Sequence, residues 1–152
     1  MPSFKTKNFG EISYDLDSVL EFPAGLPGFE ARRQFATLQF ADTKPLIFLQ
    51  SLEDPGLCFL TLPVLAVDPH YQLTMGAEER VAAGLEQSQP LRIGEDVICL
   101  TVLSLRESGP TANLLAPIVI NLRTRQAVQA VALDSSYSHQ HVLVAAEAPV
   151  CS

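Results

Sequence analysis

The chain has 152 residues, 47% of them hydrophobic, with a formal charge of −7 and a pI near 4.8. That length suits one domain able to bury a core without metals or disulfides. Its acidity disfavours nucleic acid, which is held by cations that displace counterions, and anionic membrane surfaces, but is compatible with a basic protein partner.

Met1-Pro2-Ser3-Phe4-Lys5 opens the chain without the apolar core of a signal peptide, and no apolar stretch reaches the ~18 residues of a membrane span. A cytoplasmic location is expected. Short strand-like runs then recur, first at 11–14 and 19–22. Between the second and third lies the turn Phe22-Pro23-Ala24-Gly25-Leu26-Pro27-Gly28-Phe29-Glu30. Two prolines fix φ and two glycines permit positive φ, so this turn holds Phe22, Leu26 and Phe29 in set directions. Either all three side chains enter the core, or part of the turn offers an apolar anchor to a partner.

Further strands are expected at 35–40, 46–51 and Cys58–Pro63. Glu53-Asp54 lies between the last two, beside Pro55 and Gly56, as a solvated turn does. Residues 78–85 have helical character, with acids in the first turn and Val81 and Leu85 at i, i+4. A second acidic pair, Glu95-Asp96, follows Gly94. In the run 96–105, Ile98-Cys99-Leu100-Thr101-Val102-Leu103 is more continuous, as expected of a strand covered on both faces.

Asn113-Leu114-Leu115-Ala116-Pro117-Ile118-Val119-Ile120-Asn121 is an apolar run broken by one proline and closed at each end by an asparagine. Pro117 cannot donate a ladder hydrogen bond, so it should begin the strand rather than sit inside it. Asn113 and Asn121 are expected to bond backbone and not a ligand. Strands at 127–133 and 141–145 complete the series, and residues 147–152 are expected to fray beyond a single domain spanning 1–146. Many short strands with turns between them imply a mainly β, single-domain antiparallel β-barrel-like fold with one short helix.

Catalytic and metal sets are weak. His139 and His141 would share one face of a strand, with Asp134 the nearest acid, and read as surface or packing residues. Ser135 and Ser136 beside Asp134 form no nucleophile elbow, and no glycine-rich phosphate loop is present. The two acidic pairs point apart as adjacent strand-end residues do. Cys58, Cys99 and Cys151 contain no CxxC pair, and the first two sit in apolar runs like small buried hydrophobes. This suggests a reducing compartment, no catalytic residue, no metal and no cofactor.

Several segments together carry a resemblance. Phe9-Gly10-Glu11-Ile12, the turn from Phe22 to Glu30, Leu49-Gln50-Ser51-Leu52-Glu53-Asp54, Phe59-Leu60-Thr61-Leu62-Pro63, the asparagine-flanked run and Tyr137 occur in that order. In combination and spacing the chain resembles the FliW family of flagellar assembly factors, from about Phe4 to Leu143. The resemblance implies a small β-barrel-like domain without catalytic activity. It also implies two partners, flagellin and the carbon storage regulator (CsrA), a basic RNA-binding repressor of flagellin messenger RNA. Flagellin held in the cell would occupy the factor; once it is exported, the freed factor would capture the repressor and translation would resume. Direct contact with nucleic acid or membrane is not implied. Two segments depart from the pattern: residues 125–131 follow the usual Gly- and Gln-rich hairpin only loosely, and Tyr137-Ser138-His139-Gln140-His141 lacks an arginine near Gln140.

For partner contact the sequence offers Glu30, Glu53, Asp54, Glu95 and Asp96 as charges and Leu26 and Phe29 as apolar anchors. Flagellin's amphipathic terminal segments would need an apolar groove. Two other classes fit the composition. One is a small ligand-binding or hydrolytic barrel with a cryptic site. The other is a structural β module of a larger assembly.

Overall fold

The structure, a computed structural model, describes residues 2–133 and 136–143. Two short strands, β1 (Ser3–Thr6) and β2 (Gly10–Ser13), form an antiparallel hairpin. The main sheet follows with β3 (Val19–Glu21), β4 (Gln34–Leu38), β5 (Ile47–Ser51) and β6 (Cys58–Pro63). After two short helices come β7 (Val97–Arg106), β8 (Gly109–Ala112), β9 (Ile118–Asn121), β10 (Ala127–Gln129) and β11 (His141–Val142). The spatial order is β10-β9-β7-β6-β5-β4-β3, and every named neighbour is antiparallel. The ten-residue β7 outruns β9, and its far half pairs with β8, which in turn carries β11.

The two edges of this sheet curl toward each other. They touch at a parallel bridge between Glu21 and Gln126, where the Glu21 N–H donates to Arg125 O at 3.0 Å. Strand twist brings the edges round, and the sheet is barrel-like without being zipped into a closed barrel. Inside lies a cluster of Leu20, Phe22, Leu26, Phe35, Leu49, Leu100, Ile118, Ile120 and Ala127. Alternation sends Ile98, Leu100 and Val102 of β7 into this interior, while Val97 and Cys99 face outward into a second core with Val64, Tyr71, Met75, Ala83 and Val119. The largely apolar run of β7 is therefore covered on both faces. A third cluster, Ile12, Ala36 and Leu38, seals the outer face of β4 beneath the β1–β2 hairpin.

The two helices cover the outer face of β7, β9 and β10. One turn, α1 (Val64–Val67), leaves β6 through Pro63 and closes with Asp68 N–H on Val64 O. It is additional to the one helix expected, because Val64-Leu65-Ala66-Val67 reads from its side chains as more strand. The other, α2 (Ala77–Ala82), is shorter than the 78–85 segment predicted for it. Gly84 at φ +70° ends it, with Gly84 N–H bonding Val81 O and Leu85 N–H bonding Arg80 O. That pairing is a Schellman stop, which needs a residue able to adopt the left-handed conformation. Leu85 consequently leaves the helix and packs on the core, whereas Val81 is 70% exposed.

The asparagine-flanked run behaves as expected. Pro117 precedes the fully buried β9, and Asn113 Oδ1 accepts from Ala116 N–H at 3.0 Å. Two strands escaped the sequence reading. β1 is only four residues long, and β8 begins with Gly109-Pro110, a turn signature that here sits inside a ladder. The expected strand at 127–133 is shorter as a regular strand, yet its pairing continues through Ala130 N–H to Pro117 O and Ala132 N–H to Leu115 O. Asp134, Ser135, the end of the 141–145 strand, Cys151 and the tail 147–152 lie outside the described residues.

Candidate functional site

The residues expected at the site divide between two ends of the barrel. Leu26, Phe29, Glu30, Glu53 and Asp54 gather at one end, in the turns after β3 and β5. Glu95 and Asp96 lie at the other, where β7 begins and β9 finishes. β9 spans the distance, with Ile118 beside the first group and Asn121 beside the second.

At the first end the 22–30 turn folds onto itself. Phe29 N–H bonds Leu26 O at 2.7 Å, and Gly25, at φ +71°, packs so closely that a Cβ there would lie 2.6 Å from Glu30 Cα. Only glycine fits such an approach. The turn sends its three apolar side chains in different directions: Phe22 and Leu26 are buried, while Phe29 is 41% exposed. Phe29 stands edge-on to Phe59 with centroids 5.4 Å apart, and Phe59 touches Phe35, which meets Phe22 edge-on. The anchor is thus rooted in the interior through a chain of rings. Beside it Leu26, Pro27, Phe29, Phe59, Val102 and Gln129 line a slot of about 60 Å³, well below the ~300–1,000 Å³ of a small-molecule pocket.

The acids at this end are engaged locally. Glu53 Oε1 accepts from the N–H groups of Arg33 (2.6 Å) and Gln34 (3.2 Å), tying the β5–β6 turn to the entry of β4. Asp54 faces Arg32 at 3.8 Å and also accepts from Gly56 N–H. Glu30 accepts from its own N–H and that of Gly28, which hold its carboxyl below the ordinary value of 4.5. Glu30 and Glu53 remain exposed and Asp54 half-exposed, so they retain lone pairs for a partner.

At the other end Gly84, Glu86, Gln89, Leu91, Glu95, Asp96, Asn121 and Arg123 surround an open cleft of about 400 Å³. Asn121 lies at its base, 3% exposed. Its Nδ2 donates to Ala83 O at 2.9 Å and Gly84 O at 3.3 Å, and its Oδ1 accepts from Arg123 N–H. The amide bonds backbone, as expected, and pins the end of α2 to β9. Asp96 accepts from Arg92 N–H at 2.9 Å, and Glu95 pairs with the Arg92 guanidinium at 3.2 Å, both exposed.

At both ends these carboxylates hold loops or meet solvent. Among the described residues no group of three His, Cys, Asp or Glu stands close enough to share a metal ion. His139 and His141 are exposed. Burial pushes the Cys99 thiol up to about 12 and the half-buried Cys58 thiol up to about 11, which keeps both un-ionised at neutral pH. Among the described residues no helix is long and apolar enough to cross a membrane.

The sequence reading missed a third surface. Val81, on α2, and Val131 and Leu133, beside it, are 70%, 54% and 70% exposed. The alternation of Val131 and Leu133 with the buried Ala130 and Ala132 was a visible period-two signal.

Known proteins match nearly the whole chain. The family model described as FliW protein matches residues 3–143. A flagellar assembly factor FliW of Pseudothermotoga lettingae is 38% identical over 148 residues, covering 92% of this chain and 86% of that protein. Those of Syntrophomonas wolfei and Bacillus subtilis are 33% and 30% identical, over 87% and 90% of this chain and 82% and 92% of theirs. A solved structure described as the flagellar assembly factor FliW superposes with a TM-score of 0.80 at 31% identity, over 94% of this chain and 97% of that one.

Proposed function

The chain belongs to the FliW family of flagellar assembly factors, and from that premise we propose that it is a cytoplasmic, non-enzymatic binding protein with two alternating partners. It binds flagellin while flagellin is retained in the cell. When flagellin leaves, it captures the carbon storage regulator and lifts that repressor from flagellin messenger RNA. Family membership is the observation that carries this reading.

The site geometry supports it. A barrel end with a half-exposed aromatic anchor and exposed acids suits a protein surface better than a small substrate. Phe29, Glu30, Glu53 and Asp54 form one contact surface, and Glu95 and Asp96 belong to another at the far end of β9. Leu26, being buried, acts by holding Phe29 rather than by touching a partner. A net charge of −7 raises the association rate with a basic repressor and fixes its orientation.

Titration calorimetry with the purified repressor tests this. Affinity is expected to fall about tenfold or more as salt rises from roughly 50 to 300 mM, because screening shortens the reach of exposed charges. A flat salt response would rule out the electrostatic interface. Copurification from the native cytoplasm should recover flagellin, and its absence in a flagellin-producing cell would count against the reading as a whole.

A further inference from the structure

We propose that the surface formed by α2 and the adjoining strand edge is a docking site for an amphipathic helix of a protein partner, with Lys or Arg flanking its apolar stripe. This rests on the reading of the chain as a protein-binding factor.

The observation begins with backbone. Even-numbered residues of the 127–132 segment bond inward, Ala130 to Pro117 O and Ala132 to Leu115 O, so Val131 and Leu133 turn their N–H groups outward. Such an edge ordinarily recruits another strand. Here both donors are already occupied. Val131 N–H is bound by Glu79 Oε2 at 2.9 Å, and Leu133 N–H by Thr74 Oγ1 at 2.8 Å. The other carboxylate oxygen of Glu79 accepts from Gly76 N–H at 3.0 Å, so one side chain caps α2 and masks the edge together. A strand finds no free donor at those two positions, and what the surface presents outward is side chains.

Those side chains are apolar and uncovered. Val81, Val131 and Leu133 are the exposed members. Hollows of about 430 and 420 Å³ lie on either side of α2 and share Ala77 and Glu78 as their dividing wall. Ala77 has only a methyl group, so a second helix can approach closely and set large side chains into both hollows. The local charge selects the flanks. Glu78 and Glu86 are exposed, whereas Arg80, the cation of α2, is turned back to Glu86 O (2.6 Å) and Gln89 O (2.9 Å). A helix with basic flanks meets the exposed carboxylates of Glu78 and Glu86 there, and an acidic one is repelled.

The test uses the full chain and a synthetic peptide helix of about 18 residues, with leucines at i, i+3, i+4 and i+7 and lysines beside them. Amide chemical-shift changes are expected to gather on Gly76–Val81, Gln87 and Val131–Leu133. Val81→Glu and Leu133→Glu should each weaken binding about tenfold without changing the thermal melt, since both side chains are exposed. Glu78→Gln should weaken it about twofold at low salt and not at high salt. Shifts centred on Phe29, or an unchanged affinity in Val81→Glu and Leu133→Glu, overturn the site. Flagellin and repressor binding by the wild-type chain separates the two levels. If wild type binds both partners but the peptide misses this surface, the docking site fails alone; if wild type binds neither, the functional reading fails.

Discussion

The two ends of the barrel use the same device in different solvents. At one end Glu53 gathers the N–H groups of Arg33 and Gln34 from an exposed position. At the other, Asn121 gathers the carbonyls of Ala83 and Gly84 while 3% exposed. Each side chain ties a crossing segment to a strand end. The difference is what remains when the side chain is removed. Water can replace Glu53, but it reaches the buried carbonyl of Ala83 poorly, so the second clamp should matter more for stability and the first leaves its residue available to a partner.

Mutations sharpen that contrast. The largest effect is expected from Gly25→Ala, which forces a left-handed φ on alanine and drives its Cβ into the Glu30 backbone. A loss of about 3 kcal/mol in chemical denaturation is expected, with the Phe29 anchor displaced. Asn121→Ala should cost about 2 kcal/mol by stranding the buried carbonyl of Ala83, and should release the end of α2 to faster amide exchange. Glu53→Ala should cost about 1 kcal/mol; a loss as large as that of Asn121→Ala would erase the distinction between the ends.

The smallest effect concerns pH. Cys58 and Cys99 have thiols raised from 9.0 by burial, so the stability they contribute is complete below pH 9.0 and is lost as pH rises through about 11 and 12. Mapped alkylation should find Cys58 almost inert at pH 7, with its rate climbing above pH 9. Rapid labelling at pH 7 would show that the face bearing β6 opens in solution.

Much of the fold was legible because strand patterning is local. Cys58–Pro63 and Ile118–Asn121 have the bounds their sequences suggest, and the largely apolar run of β7 announced a strand covered on both faces. The helical segment misled in part. Val81 and Leu85 have helical spacing, but Gly84 between them adopts φ +70° and sends them apart. Nothing in the spacing says that a glycine will cap the helix rather than merely weaken it.

The candidate site was legible as residue types and illegible as places. By itself the sequence determined the antiparallel β character, the rigid turn at Gly25, the scaffold role of Asn113 and Asn121, and a family resemblance that alignment along nearly the whole chain bears out. These follow from backbone rules acting over a few residues. Only the tertiary structure decided that Leu26 is buried while Phe29 is not, that Glu95 and Asp96 lie at the far end of the barrel from Glu53, and that Glu79 reaches across 52 residues of sequence to mask the edge at Val131. Exposure, separation and edge protection depend on which distant segments cover a side chain, and sheet closure fixes that after every local preference has been satisfied.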